Sequence, residues 1–258
     1  YNESFLLPQI NKWWHDRFSD VRFELYDNYS DDDTPNMALD LGWKVNQFDT
    51  GGKMSDLVHM NLKNKCWKSC ETEYAFIGDF DEVCGFDENY LLNLNQDFNV
   101  AHCVGYETID AAYTIEEACY AIQNGGYSKM ALIKPAEIQQ MNYEAGAHKA
   151  HPEAKVGFNL KINNTDFPLL HMKWFNPTHA IKRAMLLGQK QSDDNIKRKW
   201  SFHFGLPLED HLNYYKGDLK QYFADKANIF KYQKKGDSLF VRPGMVEFLP
   251  KKIPGILN

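Results

Sequence analysis

The sharpest chemical spacing in this 258-residue chain is Ile77-Gly78-Asp79-Phe80-Asp81-Glu82, which follows the apolar run Tyr74-Ala75-Phe76. If residues 74–78 form a strand, side-chain alternation sends Asp79 and Asp81 to one side and Phe80 to the other, into the core, with Glu82 starting the turn. Two carboxylates on one side can hold a hard divalent cation. A cation there can bridge two phosphates and neutralise a departing diphosphate. The plainer alternative is a solvated acidic turn.

These carboxylates need elements to position them. Phe5, Leu6, Ile10, Trp13 and Trp14 give residues 3–18 an amphipathic helical pattern. Residues 22–26 alternate as a strand and break at the acid-rich Asp27-Asn28-Tyr29-Ser30-Asp31-Asp32-Asp33. A helix over 36–41, a strand over 45–48 and a helix over 54–70 then lead to the strand over 74–78. The alternation predicts an α/β domain with a mixed, mostly parallel sheet flanked by helices. Such sheets bind ligands beyond the carboxyl ends of their strands, where both acidic loops fall. Downstream the order is less regular. The expected elements there are a helix over 87–94, strands over 100–106, 130–134, 156–162 and 169–174, helices over 178–188 and 208–224, and a strand-like 238–248.

Hydrophobic residues at 43% and charged residues at 25% are ordinary for a globular domain, and a net charge of -6 gives no general attraction for nucleic acid. One domain over 1–258 is expected. Its aromatic content of 14% serves a core first, with sugar stacking as a further use. Five cysteines, at 66, 70, 84, 103 and 119, form no disulfide framework, so the reducing cytoplasm is the expected location. Cys66 and Cys70 would share a helix face, but no second pair completes a zinc set. No apolar run approaches the roughly 20 residues of a membrane span, and no signal-like start is visible. Asn2, Asn28 and Asn163 begin Asn-x-Ser/Thr triplets, which are frequent by chance.

Three segments together resemble the family-two type of glycosyltransferase with the A-type fold: Asn2-Glu3, Tyr26-Asp27-Asn28-x-Ser30-x-Asp32, and Phe76-Ile77-Gly78-Asp79-Phe80-Asp81-Glu82. Agreement in spacing across three segments is more specific than any one motif. The resemblance implies a nucleotide-diphospho-sugar transferase fold, with residues 1–85 as the donor half and 86–258 as the acceptor half. It implies that Asn2 and Glu3 end a strand beside the donor, that Asp27 contacts the base or ribose, and that Asn28 and Ser30 shape that loop. Asp79 and Asp81 then hold the cation, Mn²⁺ or Mg²⁺, and the diphosphate. The implied substrates are a nucleoside-diphosphate sugar, UDP-sugar by family frequency, and a glycan or other hydroxyl acceptor, with inversion.

Asp56, Asn61 and Lys63 fall on the helix before the acidic strand, where similar enzymes turn polar groups toward the nucleotide. Asn61 and Lys63 are two apart and cannot share a face, so at most one reaches the donor. His171, in the run Leu169-Leu170-His171-Met172-Lys173-Trp174, is similar to the late histidine that supplies a further cation ligand. An imidazole among carboxylates suits Mn²⁺ better than Mg²⁺, and Lys173 on the same side would meet a phosphate. A buried histidine bonded to backbone is the structural alternative. Tyr143-Glu144-x-Gly146-Ala147-His148 resembles an acceptor segment of related sequences. Inversion needs one base for the acceptor hydroxyl, and Glu144, His148, Asp110 and His203 are the candidates. The basic stretch 190–200 is either a lid over the diphosphate or a solvated helix face.

Two other classes compete. Asp79-Phe80-Asp81-Glu82-Val83 also resembles the nucleophile motif of haloacid-dehalogenase-like phosphatases, but several α/β units precede it here. A noncatalytic carbohydrate-binding module would use Trp13, Trp14, Trp174 and Trp200 as stacking platforms, although core packing explains them more economically.

Overall fold

The computed structural model describes residues 1–94, 97–108, 115, 120–164, 167–172, 176–213, 217, 229–232 and 240–241. Helix α1 (Leu7–His15) buries Leu7, Ile10 and Trp13, spaced by three along one face. The Trp13 indole N–H donates to the Cys84 carbonyl at 2.9 Å and so ties the helix to the central sheet. Strands β1 (Glu24–Asp27) and β2 (Lys44–Gln47) pair in parallel across helix α2 (Thr34–Asp40), a βαβ unit. Phe23 stacks on Trp43 beneath it, centroids 4.2 Å apart. Helix α3 (Asp56–Lys63) begins at Ser55, whose hydroxyl accepts from the Val58 N–H.

The main sheet runs β13-β12-β6-β5-β11-β4. Its strands are β4 (Glu82–Cys84), β5 (Val100–Thr108), β6 (Tyr120–Gln123), β11 (Pro168–His171), β12 (Ile229–Tyr232) and β13 (Phe240–Val241). Off that path, β7 (Lys129–Ile133) and β10 (Ile162–Asn163) pair with β5, and β3 (Ala75–Phe76) pairs with β7. The long β5 explains the curl. Its first half pairs with β7 and β10, its second half with β6 and β11, and the register shifts between Ala101 and His102. A separate hairpin joins β8 (Ile138–Gln140) to β9 (Glu153–Ala154). The remaining helices are α4 (Glu88–Asn93), α5 (Pro177–Gln189) and α6 (Asp193–Arg198).

The architecture is mixed α/β, but the sheet is not mostly parallel as expected. Among the described residues only β1/β2, β10/β5 and β11/β5 run parallel, and the other pairings are antiparallel. The alternating α/β order that suggested a parallel sheet holds only as far as α3. Beyond it, β6 and β7 each pair antiparallel with β5.

Other boundaries also moved. The helix expected over 54–70 stops at Lys63, and the strand over 74–78 narrows to Ala75–Phe76. Glu82 opens β4 rather than a turn. Of 156–162 only the end enters a strand, and Val156, Phe158 and Leu160 are exposed rather than forming a buried strand face. The expected helix over 208–224 is helical at 208–213, and most of its remainder, like most of 238–248, lies outside the described residues. No helix among the described residues is long and apolar enough to cross a membrane. Cys66, Cys70, Cys84 and Cys103 carry free thiols.

Candidate functional site

A cavity of about 1690 Å³ opens where α1, α3 and α5 meet the acidic turn, and Glu3, Asp56, Lys63, Asp79, Asp81, His148, His171 and Arg183 all line it. The turn itself comes from a break in pairing. The Ile77 N–H still reaches the Ala131 carbonyl, but the Glu82 N–H bonds back to the Asp79 carbonyl, so the chain turns at residues 79–80 before the Asp81 carbonyl accepts from the Met172 N–H at the start of β4. The two aspartates therefore face different partners.

Asp79 is held by two ammonium groups. Lys63 Nζ lies 2.5 Å from Oδ1, and Lys129 Nζ lies 3.1 Å from Oδ2. Lys129 also lies 2.5 Å from Glu82 Oε1, both side chains being almost wholly buried. Burial opposes the charge on Lys129, but Asp79 and Glu82 outweigh it and push its pKa up. Burial likewise opposes ionisation of Asp79, yet Lys129 and Lys63 hold its carboxyl well below the usual range.

Asp81 faces the other way. Its Oδ2 lies 3.6 Å from His171 Nε2 and 3.5 Å from an Arg183 terminal nitrogen. Register explains the histidine: His171 on β11 stands opposite Glu82 on β4 and Glu107 on β5. Its Nδ1 is 3.0 Å from Glu107 Oε2, and the Tyr127 ring packs on it with centroids 4.1 Å apart. Burial would lower the His171 pKa, but Glu107 and then Asp81 raise it to about 10. Against the same burial, Arg183 and His171 keep Asp81 ionised. Arg183 Nε also donates to Glu3 Oε1 at 2.6 Å, so α5 is tied to the chain's first turn.

The other expected residues scatter around this centre. Lys63 reaches Asp79 whereas Asn61 is exposed, so one of the pair turns inward. Asp27 is buried and both its oxygens accept from Ser30, from the N–H at 3.0 Å and the hydroxyl at 2.5 Å, which shapes the loop. Asn28 bonds Thr50 at 2.8 Å, and the Asn2 N–H donates to the Ser30 hydroxyl at 2.9 Å. Asp56 accepts from the Ser201 hydroxyl at 2.8 Å, which links α3 to the segment after α6. Glu144 is exposed and pairs with His151 at 3.2 Å, whereas His148 lines the cavity beside Tyr127. His203 packs on Phe204 and also lines the cavity. Asp110 and Lys173 lie outside the described residues.

Among the described residues no three carboxylate, imidazole or thiol groups are gathered around one point. Asp81 and His171 do converge, at a separation longer than a hydrogen bond, and both line the cavity. Two protein ligands, with phosphate oxygens and water completing the shell, are an ordinary arrangement for a cation that works on phosphates. A cation at Asp81 would share Oδ2 with Arg183, 3.5 Å away, and Asp79 would join only by exchanging a lysine.

Four contributors were missed by sequence reading: Lys129, Glu107, Arg183 and His179, the last 3.9 Å from Glu3 Oε2. Glu107 had a signal. It continues the buried alternation Ala101, Cys103, Gly105 on β5, where a carboxylate stands out. His179 and Arg183 are four apart on α5 and so share a face. No known protein-family model matches the chain, and no curated protein is significantly similar to it.

Proposed function

We propose that the chain is a glycosyltransferase of the A-type fold that uses a divalent cation and a nucleoside-diphosphate sugar to glycosylate a hydroxyl acceptor. The observation that carries the reading is the convergence of Asp81, His171, Arg183 and the Asp79–Lys63 pair on one large cavity. Asp81 and His171 would hold the cation, Mn²⁺ by its mixed ligands, and the bound cation would neutralise the departing diphosphate. Arg183 and Lys63 supply fixed positive charge to the phosphate oxygens and orient them without reorganisation at the moment of reaction. Asp56 and Asn28 line the same cavity and would meet the nucleotide there. Of the candidate bases, Glu144 is engaged by His151 while His148 and His203 both line the cavity; His148, beside Tyr127 and within electrostatic reach of Asp79 and His171, is the one assigned to accept the acceptor's proton.

A thermal-shift series with UDP-, GDP- and dTDP-sugars, each with and without Mn²⁺, tests the reading. Stabilisation that needs both the nucleotide and Mn²⁺ supports it. Indifference to every pair favours a noncatalytic module, and release of phosphate from small phosphoesters without sugar nucleotide favours a phosphatase.

A further inference from the structure

We propose that the apolar part of the cavity is a strand groove that takes an extended segment of the same polypeptide, lying between β1 and β3 and leading into Tyr1. Among the described residues β1 pairs only with β2 and β3 only with β7, so each keeps one open edge. Backbone alternation identifies those edges. Phe23 and Asp27 give their carbonyls to the Lys44 and Phe48 N–H groups on the β2 side, which turns the N–H and C=O of Glu24 and Tyr26 the other way. The Ile77 N–H reaches Ala131 on β7, which turns those of Phe76 away from β7. Both edges meet one cavity, bordered by every residue of 22–26 and of 74–78. A strand face shows a cavity alternate residues, whereas an edge shows it consecutive ones.

Both walls of the groove carry apolar side chains. Phe23, Leu25 and Trp14 pack against the cluster that holds Leu6 and Ile10 of the α1 side. Tyr26 alternates to the other face and donates its hydroxyl to the Cys66 carbonyl at 3.3 Å. Trp14 also packs on Phe76, ring centroids 5.0 Å apart, so α1 spans both edges. Backbone groups between apolar walls need partners, and a strand bonded on both sides supplies them. The place of Tyr1 selects the occupant. Tyr1 lines the same cavity, and the Asn2 and Glu3 N–H groups donate to Ser30 and Thr34, beyond the carboxyl end of β1. A segment passing through the groove to Tyr1 therefore runs parallel to β1, and α1 returns the chain to β1 in a second βαβ unit like β1-α2-β2. About five residues, at about 3.3 Å each, span the edge. Covered on both faces, such a strand is rich in Val and Ile. It joins the two sheets and leaves ligands the polar end around Glu3, Asp81 and Arg183, whichever chemistry that end performs.

The test compares the chain carrying a run of about six Val and Ile residues before Tyr1 with the chain carrying a Gly/Ser run of equal length. Each has the same lysine leader for solubility. Amide hydrogen exchange is read by NMR at Glu24, Tyr26 and Phe76, with Leu25 and Asp27, whose amides face β2, as internal references. The Val/Ile run should slow exchange at the three edge amides about tenfold or more relative to the Gly/Ser run, and leave the references within about twofold. Equal exchange at the edge amides of the two proteins overturns the proposal. Should the Val/Ile protein aggregate, the Gly/Ser protein decides alone. Edge amides that exchange about tenfold or more faster than Leu25 and Asp27 support the open groove, and equal protection overturns it. Edge protection that disappears on dilution assigns the groove to a second copy and overturns the occupant proposed.

Discussion

Replacing Lys129 by Met should destabilise the protein more than any exposed substitution near the cavity. The Lys129 and Glu82 side chains are 1% and 2% exposed, with Nζ 2.5 Å from Oε1. Removing the ammonium leaves Glu82 as an uncompensated buried charge, which costs about 3–5 kcal/mol. Asp79 is more open and keeps Lys63, so it adds little to that loss. For a chain of this size each kcal/mol moves the midpoint by about 2–4 °C, which gives a drop of roughly 6–20 °C. Glu82→Gln alone should also destabilise, because it leaves the buried lysine without its closest partner. The double variant Lys129→Met/Glu82→Gln removes both charges and should be more stable than either single variant. Urea denaturation of the four proteins gives the coupling directly. A loss below about 1 kcal/mol for Lys129→Met, or double-variant losses that simply add, would refute the buried-pair account.

Two further outcomes follow from the same geometry. In metal-free protein the His171 pKa is raised from 6.5 to about 10, so its contribution to stability is fully present below 6.5 and is lost as pH rises through 10. Denaturation from pH 6 to 11 should show that component in wild type and not in His171→Gln. Gly105→Ala places a Cβ 2.6–2.7 Å from backbone atoms of Asn124, Tyr127 and Ser128, so the turn must shift. A cost of about 1–3 kcal/mol is expected, together with loss of the ring-current shift that Tyr127 imposes on His171; an unchanged His171 spectrum would show that the turn absorbs the methyl.

The acidic turn was legible from local spacing, His171 only through a resemblance, and Lys63 only as one of two alternatives with Asn61. Glu107 and Lys129 were not, since each stands one residue outside the strand expected around it: β5 runs on to Thr108, and β7 starts at Lys129. Polar groups at strand ends look like loop residues until a neighbouring strand buries them. Arg183 depends on how α5 docks against the first turn, a contact 180 residues apart that no periodicity encodes. A mixed sheet was expected, and its antiparallel majority was missed for a related reason. Strand order depends on the long-range pairing of β5 with β11, whereas the α/β alternation of the first third is a local pattern.

The most direct test of the account is phosphorus NMR of sugar-nucleotide consumption by wild type and Asp81→Asn, with Mn²⁺ and with chelator, across UDP-, GDP- and dTDP-sugars. The account predicts nucleoside diphosphate release by wild type from one donor class, only with Mn²⁺, and its loss in a folded Asp81→Asn protein. Equal turnover by the variant, or no diphosphate release from any donor, would contradict it.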